Sequence, residues 1–265
     1  MDKIWNHIVH ETKAFMDNAG FSKVVLGLSG GIDSALTACI ACKALGSENV
    51  LAILMPSPYS SAGSITDSVE LARNWGFETL EIPITSLMRE FDASLEGLFA
   101  GTKVGIAEEN IQARIRAVLL MAVANKQDRL LLNTCNKSED YTGYATLYGD
   151  SCGAIGPIGG LYKTEVYALA RWINSNPDLP DIPDAIINKP PSAELREGQL
   201  DTDSLPPYDI LDAILIELIE KNADPAHMET RFNPSVVQKI VRLMKNSEFK
   251  RRQSPPVIEI ERSFQ

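Results

Sequence analysis

Histidine, cysteine and basic residues are all scarce in this chain, and each scarcity closes off a class of function. The three histidines (His7, His10, His227) are scattered; His7 and His10 share one helical face near the start, a wet surface rather than a metal site. The four cysteines are Cys39, Cys42, Cys135 and Cys152. Cys39 and Cys42 make a C-x-x-C, but it lies mid-helix among apolar residues. A redox pair wants a helix N-terminus to lower a thiol pKa, and a structural zinc wants a second pair, so buried packing is expected. Lys and Arg number 25 against 35 Asp and Glu, a net charge of −10. That balance weighs against gripping nucleic acid, while leaving room for a small anion in a locally positive pocket. No apolar stretch approaches the ~20 residues of a membrane span. The opening Met1-Asp2-Lys3-Ile4-Trp5 is not a signal peptide, so a cytoplasmic enzyme is expected.

What is present centres on Leu26-Gly27-Leu28-Ser29-Gly30-Gly31-Ile32-Asp33-Ser34. Val24–Leu28 reads as a buried strand that breaks at Ser-Gly-Gly and resumes as a helix over 33–45, ended by Gly46. A strand that turns on glycines into a helix cradles phosphate, because glycine admits the anion to the backbone and free helix N–H groups point at it. No Lys follows the second glycine, so this is not a Walker loop. Asp33 stands there instead, a hard oxygen ligand suited to Mg²⁺ beside phosphates. The segment resembles the signature of the N-type ATP pyrophosphatases, which split ATP into AMP and pyrophosphate.

Helical and strand patterns alternate along the rest of the first half. Residues 2–19 read as an amphipathic helix, Val50–Met55 as a strand, 64–75 as a helix, 77–82 as a strand, then a helix with Leu87 and Phe91, a long helix over 108–125, and a short strand Arg129–Leu132. Such βαβ alternation predicts a single α/β domain over 1–265, a parallel twisted sheet flanked by helices, with ligands beyond the strand carboxyl ends. Ser29–Ser34, Pro56–Ser64 and Asn133–Glu139 all follow strands and should meet there. Residues 174–208 are proline-rich and acidic, too long for a plain connector, and the ordered Lys189-Pro-Pro-Ser-Ala-Glu-Leu195 favours a lid. C-terminal helices are expected over 208–220 and 233–246.

Glu139 sits near a helix start after Asn133-Thr134-Cys135-Asn136. With Asp33 it would set two carboxylates around one Mg²⁺; the same position is ordinary for an exposed first-turn acid, and spacing alone leaves both readings open. Six segments in order then narrow the resemblance: Ser29-Gly-Gly-Ile-Asp-Ser34, Asn136-Lys-Ser-Glu139, Leu147-Tyr-Gly-Asp150, Lys189-Pro-Pro-Ser-Ala-Glu-Leu195, Phe232-Asn-Pro234 and Glu248-Phe-Lys-Arg-Arg-Gln253. Across nearly the whole chain the sequence is similar to NAD synthetases. The resemblance implies a Rossmann-type fold of the adenine nucleotide alpha-hydrolase-like kind and an ATP-dependent ligase forming a C–N bond. Its implied reaction is amidation of deamido-NAD to NAD through an acyl-adenylate, releasing AMP and pyrophosphate.

The same resemblance implies roles residue by residue. Ser29, Gly30, Gly31 and Ser34 hold ATP phosphates, with Gly27, Leu28 and Ile32 in the same loop; Met55, Thr134, Lys163 and Ser192 complete the ATP site. Asp33 and Glu139 bind Mg²⁺ and, with Lys163, are the catalytic group. Arg114, Glu139, Tyr148, Asp150, Phe249 and Lys250 meet deamido-NAD, with Arg116 a weaker candidate. Read without the family, Arg114 and Arg116 are a solvated helix face, although they punctuate an apolar helix, and Lys250–Arg252 is a basic tail. In ammonia-only members a Lys and an Asp contact the dinucleotide where Leu147 and Ala154 stand here, and a His precedes the tail lysine where Phe249 stands. The Tyr148-Gly149-Asp150 region is closer to glutamine-dependent members, whose amidase domain precedes the synthetase. None of the four cysteines suits an amidase nucleophile, so free ammonia is the expected donor, with a separate glutaminase as one source. A homodimer with the dinucleotide site at the subunit interface is implied, with helix 108–125 serving either that interface or the core. A tRNA-modifying or other amidating ATP pyrophosphatase, and a non-catalytic nucleotide-binding module, are the competing readings.

Overall fold

The computed structural model describes residues 1–228 and 230–262. The chain opens with α1 (Asp2–Ala19), then β1 (Val24–Gly27), α2 (Ile32–Leu45), β2 (Val50–Leu54), α3 (Ala62–Trp75), β3 (Glu78–Glu81), α4 (Thr85–Phe99), α5 (Ile106–Gln127) and β4 (Leu130–Leu131). It continues through α6 (Lys137–Thr142), α7 (Lys163–Asn174), α8 (Asp184–Asn188), α9 (Tyr208–Ile219), α10 (Pro225–Met228), α11 (Pro234–Asn246) and α12 (Glu248–Arg251). The four strands form one parallel sheet in the order β3-β2-β1-β4. This is the single α/β architecture expected from the alternation.

The strands form where Val, Ile and Leu run together, because a parallel sheet covered on both faces buries every side chain. Val24 and Leu26 pack with Leu36 and Ile40 of α2 and with Val166 and Leu169 of α7. Val25, Leu51 and Ile53 point the other way, onto Ile115, Leu120 and Ala124 of α5. Sandwiched between the sheet and α1, α2 has no polar face. That is why Cys39 is fully buried and Cys42 nearly so, and burial pushes the Cys42 thiol up to about 12. Packing, not redox chemistry, accounts for that pair. β3 departs from the buried pattern: Glu78 and Glu81 are exposed, as suits an edge strand. A third cluster joins Tyr162 to Leu211, Ile214 and Leu215 of α9 and Val237 and Ile240 of α11. Among the described residues no helix is long and apolar enough to cross a membrane.

The strand order fixes where a ligand can sit. The chain walks outward from β1 through β2 to β3, then returns to place β4 on the opposite side of β1. The connections after β1 and β4 therefore diverge, opening a crevice at the carboxyl ends of these two strands.

Candidate active site

The crevice holds a cavity of about 270 Å³. One wall is the turn after β1. Gly30 adopts φ 76°, and a Cβ there would lie 2.5 Å from the Ser64 backbone oxygen, so only glycine lets the turn pass under α3. The turn is fixed by its own hydroxyls. Ser34 Oγ donates to Gly31 O (3.0 Å) and accepts from Ser29 N (3.2 Å), while Ser29 Oγ accepts from Gly31 N (3.2 Å). Asp33 in the first turn of α2 then aims its carboxylate into the cavity.

The facing wall follows β4. Asn136 caps α6 by accepting from Glu139 N (3.0 Å), and Glu139 Oε2 accepts from Asn136 N (3.2 Å), a reciprocal capping box. The same Asn136 donates to Asp33 Oδ1 (2.9 Å), tying the two walls together. Lys163, the first residue of α7, pairs with Asp33 Oδ2 and stands 3.5 Å from Glu139 Oε1, its side chain only 3% exposed. Nζ lies 5.3 Å from the Tyr208 ring centroid. Burial alone would lower the Lys163 pKa, but Asp33 and Glu139 outweigh it and hold the ammonium firmly charged. Glu139 is pushed well above the usual carboxylate range, by burial first and by Asp33 second, against the pull of Lys163. Asp201 brings a third carboxylate: its Oδ2 accepts from Tyr208 Oη (2.8 Å), and Tyr144 also faces the carboxylate. Burial raises its pKa as well.

A cation beside Asp33 and Glu139 would relieve the burial and the repulsion that push the Glu139 carboxyl up. Among the described residues no group of three or more His, Cys, Asp and Glu is arranged as a metal cage. Mg²⁺ takes one or two carboxylates and completes its shell with phosphate oxygens and water. Asp33 and Glu139, which both line the cavity, are the side chains that would hold such an ion.

The proline-rich segment closes the cavity from above as a lid. Glu194, at φ 49°, accepts from Ser64 Oγ (2.9 and 3.1 Å) and Ser61 N (3.3 Å) at the start of α3 and pairs with Lys189 (2.8 Å). Gln112 Nε2 donates to Leu195 O (2.8 Å), and Arg196 pairs with Glu109 (3.3 Å) on α5. Ser192 Oγ is turned to Gln199 O (2.6 Å) while the residue lines the cavity.

Gly27, Leu28, Ser29, Gly31, Ile32, Asp33, Ser34, Met55, Thr134, Glu139, Asp150, Lys163 and Ser192 all line this one cavity. Gly30 backs onto α3 instead. Arg114, Tyr148, Phe249 and Lys250 gather outside it, around the turn over 143–148. Arg114 Nε donates to Leu147 O (3.2 Å), Lys250 Nζ to Gly143 O and Ala145 O (2.8 and 2.7 Å), and Tyr148 Oη to Gln253 Oε1 (2.7 Å). Phe249 is 56% exposed beside them. Asp150 belongs to both groups, because it faces the cavity while its carboxylate accepts from Thr146 N (2.6 Å). Removal from bulk water pushes its carboxyl up. Arg116, not Arg114, is the cavity guanidinium: it reaches Met55 O (3.1 Å), and burial lowers its pKa against the pull of Asp150 and Glu194. Sequence reasoning did not name Asp201 or Tyr144. Their signal is weak: two polar residues far apart in sequence, whose approach to one another in the folded chain no local pattern announces.

A parallel sheet with a glycine turn and a buried acid–lysine–acid cluster at its switch point defines an α/β nucleotide-binding protein. Comparison sharpens that class. The NAD synthase family model matches residues 4–254, and the chain belongs to this family. It is 51% identical over 265 residues to a glutamine-dependent NAD(+) synthetase of Synechocystis sp., covering 99% of this chain and 47% of that protein. The chain spans about half the length of the curated relatives it matches. Among solved structures it resembles a glutamine-dependent NAD+ synthetase of Acinetobacter baumannii in complex with ADP (41% identity, TM-score 0.69, covering 95% of this chain and 45% of that one). It also resembles an NH3-dependent NAD synthetase of Campylobacter jejuni (31% identity, TM-score 0.76, covering 94% and 95%).

Proposed function

We propose that this chain amidates deamido-NAD to NAD at the expense of ATP, with free ammonia as the direct nitrogen donor. The observation that carries the reading is the Asp33–Lys163–Glu139 cluster facing a glycine-built anion cradle in one closed cavity. Family membership and the ADP bound in the Acinetobacter relative support a nucleotide in that cradle.

A carboxylate resists amidation because oxide is a poor leaving group, and transfer to an adenylate cures this. The nicotinate oxygen attacks the α-phosphorus while the bond from that phosphorus to the bridging oxygen breaks, releasing pyrophosphate. Ammonia then attacks the acyl carbon, the bond to AMP breaks, and the nitrogen loses a proton. The chain's task is alignment and charge neutralisation. The Ser29–Ser34 turn binds the phosphates. Lys163 supplies fixed positive charge where pyrophosphate forms. Arg116 is placed for an anionic group deeper in the cavity, and the lid excludes water that would hydrolyse the adenylate. Asp33 and Glu139 would hold a Mg²⁺ ion, which would supply further neutralisation of phosphate charge. Met55, ending at the adenine side, and Thr134 bound the nucleoside.

The outer group of Arg114, Tyr148, Phe249 and Lys250 receives the distal part of deamido-NAD. A second copy of the chain completes that site: α5 exposes Val118 and Met121, and Leu98, Val104 and Ile106 are exposed nearby in sequence, an apolar surface suited to an interface between copies.

Incubation with ATP, Mg²⁺, deamido-NAD and ammonium tests the reading. NAD and AMP should accumulate in equal amounts, and glutamine should not replace ammonium. ADP as product, or nucleotide bound without turnover, would overturn it; NAD formation from glutamine alone would overturn the choice of donor.

A further inference from the structure

The helices α6 and α7 present Glu139 and Lys163 from their first turns. Both converge on one residue of the C-terminal lobe. Asp212 lies in α9 within Ile210-Leu211-Asp212-Ala213-Ile214-Leu215 and is 1% exposed. Its Oδ1 accepts from Ser138 Oγ (2.5 Å), the residue before Glu139. Its Oδ2 accepts from Thr164 N (2.8 Å), the residue after Lys163. Ser138 Oγ closes the triangle by accepting from Lys163 N (2.9 Å). One carboxylate thus binds a side-chain hydroxyl in the first turn of α6 and an orphaned N–H in the first turn of α7, with negative charge at a helix start where it is favoured. The same helix begins with Tyr208, one turn earlier, which bonds Asp201 of the lid segment and sets its ring beside Lys163.

A buried carboxylate in an apolar helix is costly unless it is fully hydrogen-bonded, so its presence asks for a reason. A packing role alone would be met by Leu or Asn. Resting on the roles proposed above for Glu139 and Lys163, we infer that Asp212 is a positioning residue, which sets the separation and direction of the Glu139 carboxylate and Lys163 ammonium. It touches neither substrate nor those two side chains, and acts through Ser138 and the start of α7. Asp212→Asn keeps the shape but leaves one acceptor oxygen in place of two, so Ser138 Oγ and Thr164 N can no longer both donate to this side chain, and the negative charge between the two helix starts is lost. Ser138→Ala removes the shared hydroxyl while leaving the carboxylate on Thr164.

The experiment measures kcat and KM for deamido-NAD and ATP, by AMP release, on the full chain carrying Asp212→Asn or Ser138→Ala, alongside circular dichroism and thermal melting. Asp212→Asn should lower kcat by about 10- to 100-fold through misplacement of reacting groups, with both KM values held within about threefold. Ser138→Ala should lower kcat by a smaller factor in the same direction, and it decides the matter if Asp212→Asn does not fold. Folded variants with unchanged kcat, or with raised KM and preserved kcat, would overturn the inference. Glu139→Gln and Lys163→Met are measured in parallel. If these two leave AMP release intact, the proposed function fails; if they abolish it while the Asp212 and Ser138 variants stay active, only the positioning role fails.

Discussion

The turn after β1 and the lid over 189–195 enclose the same cavity by opposite means. The turn is held by backbone: it hangs from a buried strand, a glycine at φ 76° threads it under α3, and two serine hydroxyls lock its amides. The lid is held by side chains, chiefly Glu194 on Ser61 and Ser64, Gln112 on Leu195 O and Arg196 on Glu109. The difference assigns them different work. Groups that must meet the reacting phosphorus without reorganising belong on the backbone-fixed element, because preorganisation is what lowers the barrier. A cover that must open for substrates belongs on an element released by breaking a few polar contacts.

If that division holds, substitutions on the turn side act on kcat and substitutions in the lid act on KM. The largest effect should come from Asp33→Asn, which removes charge from the cluster and should cut the rate of AMP formation by about 100- to 1,000-fold in steady-state assays. A residual rate near wild type would break the comparison at its strongest point. Gly30→Ala should come next. The new Cβ meets the Ser64 backbone at 2.5 Å and forces φ 76° on an L-residue, so melting should fall with roughly 1–3 kcal/mol of destabilisation from strain alone, and kcat should fall with it. Glu194→Gln should be milder and of another kind: KM rises by roughly tenfold or less, about the worth of one charge-assisted hydrogen bond, with kcat preserved. A fall in kcat without a change in KM would put the lid among the reacting groups.

The smallest effect concerns pH. Burial raises the Glu194 pKa, but Lys189 and the serine hydroxyls outweigh it and hold the carboxyl below its ordinary value. A carboxyl depressed in the closed state contributes stability above the ordinary pKa of about 4.3, and loses it as pH falls through the lower closed-state value. Amide-exchange protection over 189–195 should therefore be constant near neutrality and drop in acid. Glu194→Gln should remove that drop, and a wild-type lid equally protected in acid would contradict the latch.

The turn and the lid also differed in how far the sequence revealed them. The strands β1 and β2 and the helices α1, α2 and α5 were legible because their apolar patterns are local, and their ends agree with the structure to within two residues. The glycine turn was legible for the same reason. That the long 174–208 stretch is a cover rested on the ordered run Lys189–Leu195, and its contacts with Ser61, Gln112 and Glu109 lie too far away in sequence to be read. Helix α7 was overlooked although Val166, Leu169, Ala170 and Ile173 mark its buried face; Lys163 was named from family resemblance alone. Arg114 and Arg116 could not be ranked by spacing, since they sit two residues apart on one helix. Only the direction in which α5 packs turns Arg116 into the cavity and Arg114 toward Leu147. Asp212 was not singled out from the sequence, although it is a lone acid inside the apolar run Ile210–Leu215.

The central claim is that the cradle delivers the α-phosphorus of ATP to a carboxylate, and isotope transfer tests it directly. Deamido-NAD carrying ¹⁸O in its nicotinate carboxylate is turned over with ATP, Mg²⁺ and ammonium, and the products are weighed by mass spectrometry. Label in the phosphate of AMP is the predicted result. Label appearing in inorganic phosphate beside ADP, or unlabelled AMP formed together with NAD, would contradict the account.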